Sequence, residues 1–154
     1  MQKFKIFPNK MQANQIDKTF WCCQFVYNEM LKRREKEHLN FKQTINILTQ
    51  MKRDNACLRA VDSVALQQAV RWLDYDYQKF FSHTGAYPQM KEPLHTYLTY
   101  NNNNTIRIVD NFIRLPKLGF IRIEPQLENN DIISVMVSEE KKEYYANINF
   151  LERS

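Results

Sequence analysis

The sequence is poor in glycine, histidine and cysteine, and each shortage removes a class of chemistry. Two glycines in 154 residues, Gly85 and Gly119, leave no material for a glycine-rich phosphate loop. His38, His83 and His95 stand in separate segments, and none makes a metal-ligand spacing with a cysteine or a second histidine. Three cysteines are an odd number for a disulfide framework. Adjacent Cys22 and Cys23 point about 100° apart on a helix, which suits neither a bridge nor a shared metal, so all three read as reduced thiols. Long apolar runs are missing too. None approaches the roughly 20 residues needed to cross a bilayer, and Met1 to Lys10 mixes Lys with Phe and Pro where a signal peptide has an apolar core. The expectation is a cytoplasmic protein that does not engage a membrane.

What is present is enough for a folded core. At 44% hydrophobic and 13% aromatic content, the chain suits one compact domain or two small lobes. Charge is uneven: residues 1–60 hold 12 Lys and Arg against 5 Asp and Glu, whereas residues 61–154 hold 10 against 12. A basic front whose densest cluster is Lys32, Arg33, Arg34 and Lys36 matches a polyanion-binding surface, because each neutralised phosphate releases counterions. Glu29, Glu35 and Glu37 are interleaved there, with Glu29 four residues before Arg33, so a solvated helix face explains the cluster equally well.

Periodicity organises the chain. Met1 to Phe7 alternates imperfectly and stops at Pro8-Asn9, which predicts a short strand and a turn. Ile16, Phe20, Cys23, Tyr27 and Met30 recur every three or four positions and define a helix from about Met11 to Glu37. Phe41, Ile45, Leu48 and Met51 repeat the spacing in a second helix, ended by Arg53 to Asn55. Asp62 is a natural N-cap for a third, with Leu66, Ala69, Leu73, Tyr77 and Phe80 as its core stripe. Gly85, Pro88 and Pro93 then mark a change from helix to strand. Strands follow at 105–109, 112–115, 120–123, 132–137 and 144–150, with turns at Asp110-Asn111, Gly119, Asn129-Asn130-Asp131 and Glu139 to Lys142. A lone first strand would leave its backbone unpaired, so it joins these later ones. The fold class is α+β: a small antiparallel β-barrel from residues 1–10 and 95–154, with an inserted lobe of about three helices at 11–94.

No catalytic constellation or metal site emerges. Asp74 and Asp76, two apart on a helix, fall on different faces and read as solvated surface. Cys57 has no activating neighbour in the sequence. Among binding signals, Gln67 and Arg71 form an i,i+4 polar pair that could read base edges or simply be an exposed stripe. Asn101 to Asn104 form a plain loop or, through Asn102 and Asn103, amides able to pair with adenine. In Leu115-Pro116-Lys117-Leu118-Gly119 the proline blocks backbone donation and the glycine permits a bend, so Lys117 projects from a strand corner.

The order of short phrases resembles the N-terminal part of the OrfB/TnpB proteins of bacterial insertion sequences, RNA-guided DNA endonucleases related to type V CRISPR effectors. The phrases are Phe7-Pro8-Asn9 with Gln12 and Phe20, Cys22 to Asn28, Leu48 to Lys52, Val61-Asp62-Ser63 with Ala65 to Ala69, Phe80-Phe81, Tyr87-Pro88, Asn102 to Asn104 and Leu115 to Gly119. The resemblance implies a wedge-like barrel with an inserted recognition lobe. It implies partners too: a guide RNA and double-stranded DNA bearing a short target-adjacent motif. A RuvC nuclease domain carrying the Mg²⁺-binding carboxylates is expected beyond the segment like Tyr144 to Phe150, so this chain is expected to hold no cofactor and not to act as an enzyme alone. Carried over residue by residue, motif contacts fall on Phe41, Ile45, Ser63, Val64, Gln67 and Asn102, beside Arg71 and Asn103. Lys3, Lys5, Lys117 and Arg122 are the candidates for RNA backbone contacts. The rival readings are a stand-alone helix-turn-helix DNA regulator using the second and third helices, and a protein-interaction module binding through strand edges.

Overall fold

A computed structural model describes residues 1–124 and 131–151. The turn expected at Asn129 and Asn130 lies outside the described residues. The chain forms two compact units, one holding Met1–Thr19 with the chain from His95 onward, the other Phe20–Leu94. Helix α1 (Lys10–Lys36) begins in the first and continues into the second.

The first unit is built on strand β1 (Gln2–Phe7) and six later strands: β2 (Thr96–Tyr100), β3 (Arg107–Val109), β4 (Phe112–Leu115), β5 (Gly119–Glu124), β6 (Ile132–Glu140) and β7 (Glu143–Phe150). All pairings are antiparallel, in the order β2-β6-β7-β1-β5-β4-β3. β1 therefore joins the later strands, between β5 and β7. The expected barrel is corrected to an open sheet, since β2 and the three-residue β3 each pair on one side only and the order does not close. Period-two alternation puts Phe4, Ile6, Ile113, Leu115, Ile121, Ile123, Val135, Val137, Ala146 and Ile148 in the core.

Turns in this sheet use non-glycine residues in left-handed backbone. Lys141 and Lys142, at φ 51° and 66°, connect β6 to β7. Asn103 and Asn104 lie at φ 55° and 60°, and the Thr105 N–H donates to the Asn102 carbonyl across them at 3.3 Å. Two successive positive φ values describe a type I′ turn, which asparagine tolerates better than most residues. At the corner between β4 and β5, the Leu118 N–H donates to the Leu115 carbonyl at 3.1 Å, with Pro116 and Lys117 (φ 66°) as the central pair.

In the second unit α1 buries Phe20, Cys22, Cys23, Val26, Tyr27, Met30 and Leu31. Helix α2 (Phe41–Asp54) buries Thr44, Leu48 and Met51, α3 (Ala56–Arg59) buries Leu58, and α4 (Ser63–Phe81) buries Leu66, Ala69, Leu73 and Tyr77. Asp62 caps α4 by accepting from the Val64 N–H at 3.0 Å. The same Asn-x-x-Gln capping box opens α1 and α2. Asn9 and Gln12 exchange bonds of 2.8 and 2.9 Å, and Asn40 and Gln43 exchange two of 2.8 Å. No described helix is long and apolar enough to cross a membrane.

Asp74 and Asp76 are not the solvated surface expected of them. Asp74 takes a 3.0 Å bond from Arg34 of α1 and 2.7 Å from Gln78, while Asp76 accepts the Tyr27 hydroxyl at 2.6 Å. Burial, followed by the hydrogen bond to Asp76, pushes the Tyr27 phenol upward. No disulfide joins Cys22, Cys23 and Cys57; Cys22 and Cys23 are buried, Cys57 is exposed, and burial raises the Cys23 thiol.

Candidate nucleic-acid interface

The helical unit gathers part of the candidate set. Phe41 is the first residue of α2, and the guanidinium carbon of Arg71 lies 4.9 Å from its ring centroid. An arginine on an aromatic face keeps its outer N–H groups available while its plane is held in place. Arg71 is exposed and makes no ion pair among the described residues. The two residues line a hollow of about 400 Å³ together with Gln68, Trp72, Asp74, Tyr75 and Gln78. Gln67, one turn before Arg71, is exposed; Ile45, one turn after Phe41, is half-buried. Ser63 and Val64 form the first turn of α4, half-buried beside the Asp62 cap.

Asn102 and Asn103 belong to the other unit, in the β2–β3 connection, and are exposed. The first asparagine of the run is structural. Asn101 donates to the Ile132 carbonyl at 2.9 Å and accepts from the Ile106 N–H at 3.1 Å.

Three of the four candidate RNA contacts are already engaged inside the sheet. Lys3 reaches both Glu140 oxygens at 2.9 Å and sits over Tyr145; Lys5 pairs with Glu143 at 3.1 Å; Arg122 pairs with Glu124. The Tyr145 hydroxyl, followed by Lys5, holds the Glu143 carboxyl below its usual range. Lys117 alone of the four makes no ion pair among the described residues. It is exposed at the hairpin corner and lines a hollow of about 340 Å³ with Asn9, Met11, Gln12, Gln15 and Leu118.

Gln12 joins two of the phrases noted in the sequence. Its amide N–H₂ donates to the carbonyls of Leu118 and Phe120 at 3.1 and 2.9 Å, while its oxygen completes the α1 capping box. Phe7-Pro8-Asn9 with Gln12 and Leu115 to Gly119 are thus two sides of one joint.

A family model described as a helix-turn-helix domain, of the OrfB/IS605 type, matches residues 2–43. The chain carries an OrfB/TnpB-type N-terminal region. The stretch matched covers β1, α1, the 37–40 connection and the first residues of α2. A Streptomyces pristinaespiralis protein bearing the provisional name RNA-guided DNA endonuclease is 34% identical over 97 residues, covering 58% of this chain and 24% of that protein. InsQ of Escherichia coli K12, provisionally named an RNA-guided DNA endonuclease as well, is 24% identical over 156 residues, covering 95% of this chain and 39% of that protein. The OrfB/TnpB-type region therefore spans well under half the length of the curated relatives it matches. Sequence reasoning missed Gln68, Trp72 and Tyr75 in the hollow, although their three- and four-residue spacing was a usable signal.

Proposed function

We propose that this region holds nucleic acid for an RNA-guided DNA endonuclease, gripping guide RNA and reading a short motif in duplex DNA. The observation that carries the reading is Arg71 laid over Phe41 with its outer edge free, one turn from exposed Gln67. Arg and Gln are side chains that bond bidentately to guanine and adenine edges, and a few such contacts suffice where RNA pairing supplies most of the specificity. Phe41, Ile45 and Val64 offer apolar contact to a thymine methyl or sugar, Ser63 a hydroxyl, and Asn102 and Asn103 exposed amides. For RNA, Lys117 is the strongest candidate; Lys3, Lys5 and Arg122 must first leave their carboxylates.

The test is a salt series of fluorescence-anisotropy titrations with a structured RNA and a DNA duplex. Affinity should fall linearly on a log–log plot as salt rises. Arg71→Ala should weaken duplex binding by about tenfold. Absence of binding to either polymer in dilute buffer would sink the proposal.

The helix-turn-helix description of residues 2–43 favours a second reading, a regulator that binds duplex DNA without RNA. RNA copurifying with the protein counts against it.

A further inference from the structure

The triplet Phe-Ile-Arg occurs twice, as Phe112-Ile113-Arg114 in β4 and Phe120-Ile121-Arg122 in β5. Strand alternation sends both isoleucines into the core, where Ile113 and Ile121 are 0% and 1% exposed, and both Phe and Arg to the outer face. Because the strands are antiparallel, register sets Phe112 opposite Arg122 and Arg114 opposite Phe120. The pattern extends sideways, with Phe7 of β1 beyond Arg122 and Arg107 of β3 beyond Arg114. Phe and Arg therefore face each other across β1, β5 and β4, and Arg107 of β3 adds a second guanidinium beside Arg114.

This face is open. Phe7, Phe112 and Phe120 are 38%, 45% and 44% exposed, which is a large apolar display for a sheet whose opposite face already holds a complete core. The guanidinium carbon of Arg107 lies 5.9 Å from the Phe120 ring centroid and that of Arg122 5.3 Å from the Phe7 centroid, so cation and ring are neighbours on this face. Charge on the outer face of β3, β4 and β5 favours an anion, with three arginines against the single carboxylate of Glu124. Phe7 and Phe112 stand two strands apart, roughly 10 Å, with Arg122 between them. That is space for a base on each ring and, once Arg122 leaves Glu124, a phosphate on the arginine.

We infer that the outer face of β1, β5, β4 and β3 is a platform for single-stranded polynucleotide, stacking unpaired bases on Phe7, Phe112 and Phe120 and holding phosphates with Arg107, Arg114 and Arg122. The inference rests on the nucleic-acid reading above and deepens it, since a duplex hides its base faces and cannot use the rings. Base–aromatic stacking is tolerant of sequence, so the platform would grip any unpaired stretch.

The discriminating variant is Phe112→Leu with Phe120→Leu, which keeps apolar area on the sheet and removes the aromatic faces. It is titrated in full-length form against oligouridine, oligothymidine and a blunt DNA duplex, after circular dichroism and a thermal melt establish that it folds. Expected is a loss of about tenfold or more for the single strands, with duplex affinity and salt slope unchanged. Arg107→Ala should instead lower the single-strand salt slope by about 0.7. Tighter binding of oligouridine would assign the platform to RNA and tighter binding of oligothymidine to an unpaired DNA strand; either supports it. Parent-like single-strand affinity in the folded double variant, with salt-dependent binding intact, overturns the platform and leaves the broader reading standing. A parent chain that binds no polynucleotide in dilute buffer overturns both.

Discussion

The two units treat their charges in opposite ways. In the helical unit Asp74 and Asp76 turn inward and tie α4 to Arg34 and Tyr27 of α1, while Arg71 faces outward and makes no ion pair among the described residues. In the sheet unit the acids sit outside, where Glu140, Glu143 and Glu124 meet Lys3, Lys5 and Arg122. A count of basic residues would rate these surfaces alike. What differs is how many cations are free to exchange counterions for phosphates, and by that measure Arg71, Lys117 and Arg107 outrank the lysines of β1.

Four substitutions test this contrast. The largest effect belongs to Asp74→Ala, which strands the Arg34 guanidinium, only 11% exposed, without its partner. We expect a loss of about 2–3 kcal/mol in chemical denaturation, with Asp74→Asn recovering part. A cost below about 0.5 kcal/mol would make the pair as idle as a surface ion pair and erase the distinction.

Next is Gln12→Ala on the sheet side. It removes the capping partner of Asn9 and the donors to Leu118 and Phe120, for an expected cost of about 2 kcal/mol in the same assay. Melting unchanged from the parent would show that the joint is decorative.

Tyr27→Phe should cost about 1 kcal/mol at neutral pH, one partly buried hydrogen bond. It also changes the alkaline limb. The Tyr27 phenol is raised above its ordinary 10.0, so its contribution is whole below that pH and fades as pH climbs beyond it. Denaturation midpoints taken upward from pH 10.0 should therefore fall less steeply in the variant, and parallel curves would contradict the assignment.

The smallest effect is expected at Lys3, an exposed pair whose loss should move stability by under about 0.5 kcal/mol. Lys3→Ala should lower the salt slope for RNA less than Lys117→Ala, which should lower it by about 0.7–0.9 if Lys117 meets a phosphate. Equal slopes for the two would mean that pairing with Glu140 does not hold Lys3 back.

Local features of the fold were legible and long-range ones were not. The 3.6-residue stripe of α1, Asp62 as a cap, the bends at Lys117 and Gly119 and the membership of β1 in the later sheet all follow from residues near one another or from an unpaired strand's need for partners. β2 was missed because Tyr97, Leu98 and Thr99 are buried in succession, so Thr96 to Tyr100 shows no alternation. α3 is four residues long, too short for any period to register. Sheet closure is a property of edges and twist that no single residue encodes, hence the expected barrel and the open sheet observed. The candidate site fared similarly. Phe41 and Arg71 were named separately, but their meeting depends on α2 packing beside α4. The pairing of Lys3 with Glu140 spans 137 positions and leaves no trace in either segment.

The place of β1 carries a consequence for how the molecule is made. It is the sole neighbour shared by β7 and β5, so three strands on one flank and three on the other are stitched together by the six residues Gln2–Phe7. Those residues must wait on the ribosome's output until Glu143–Phe150 has been translated before both seams can be sewn. Removing Gln2–Phe7 would cut the fabric in two.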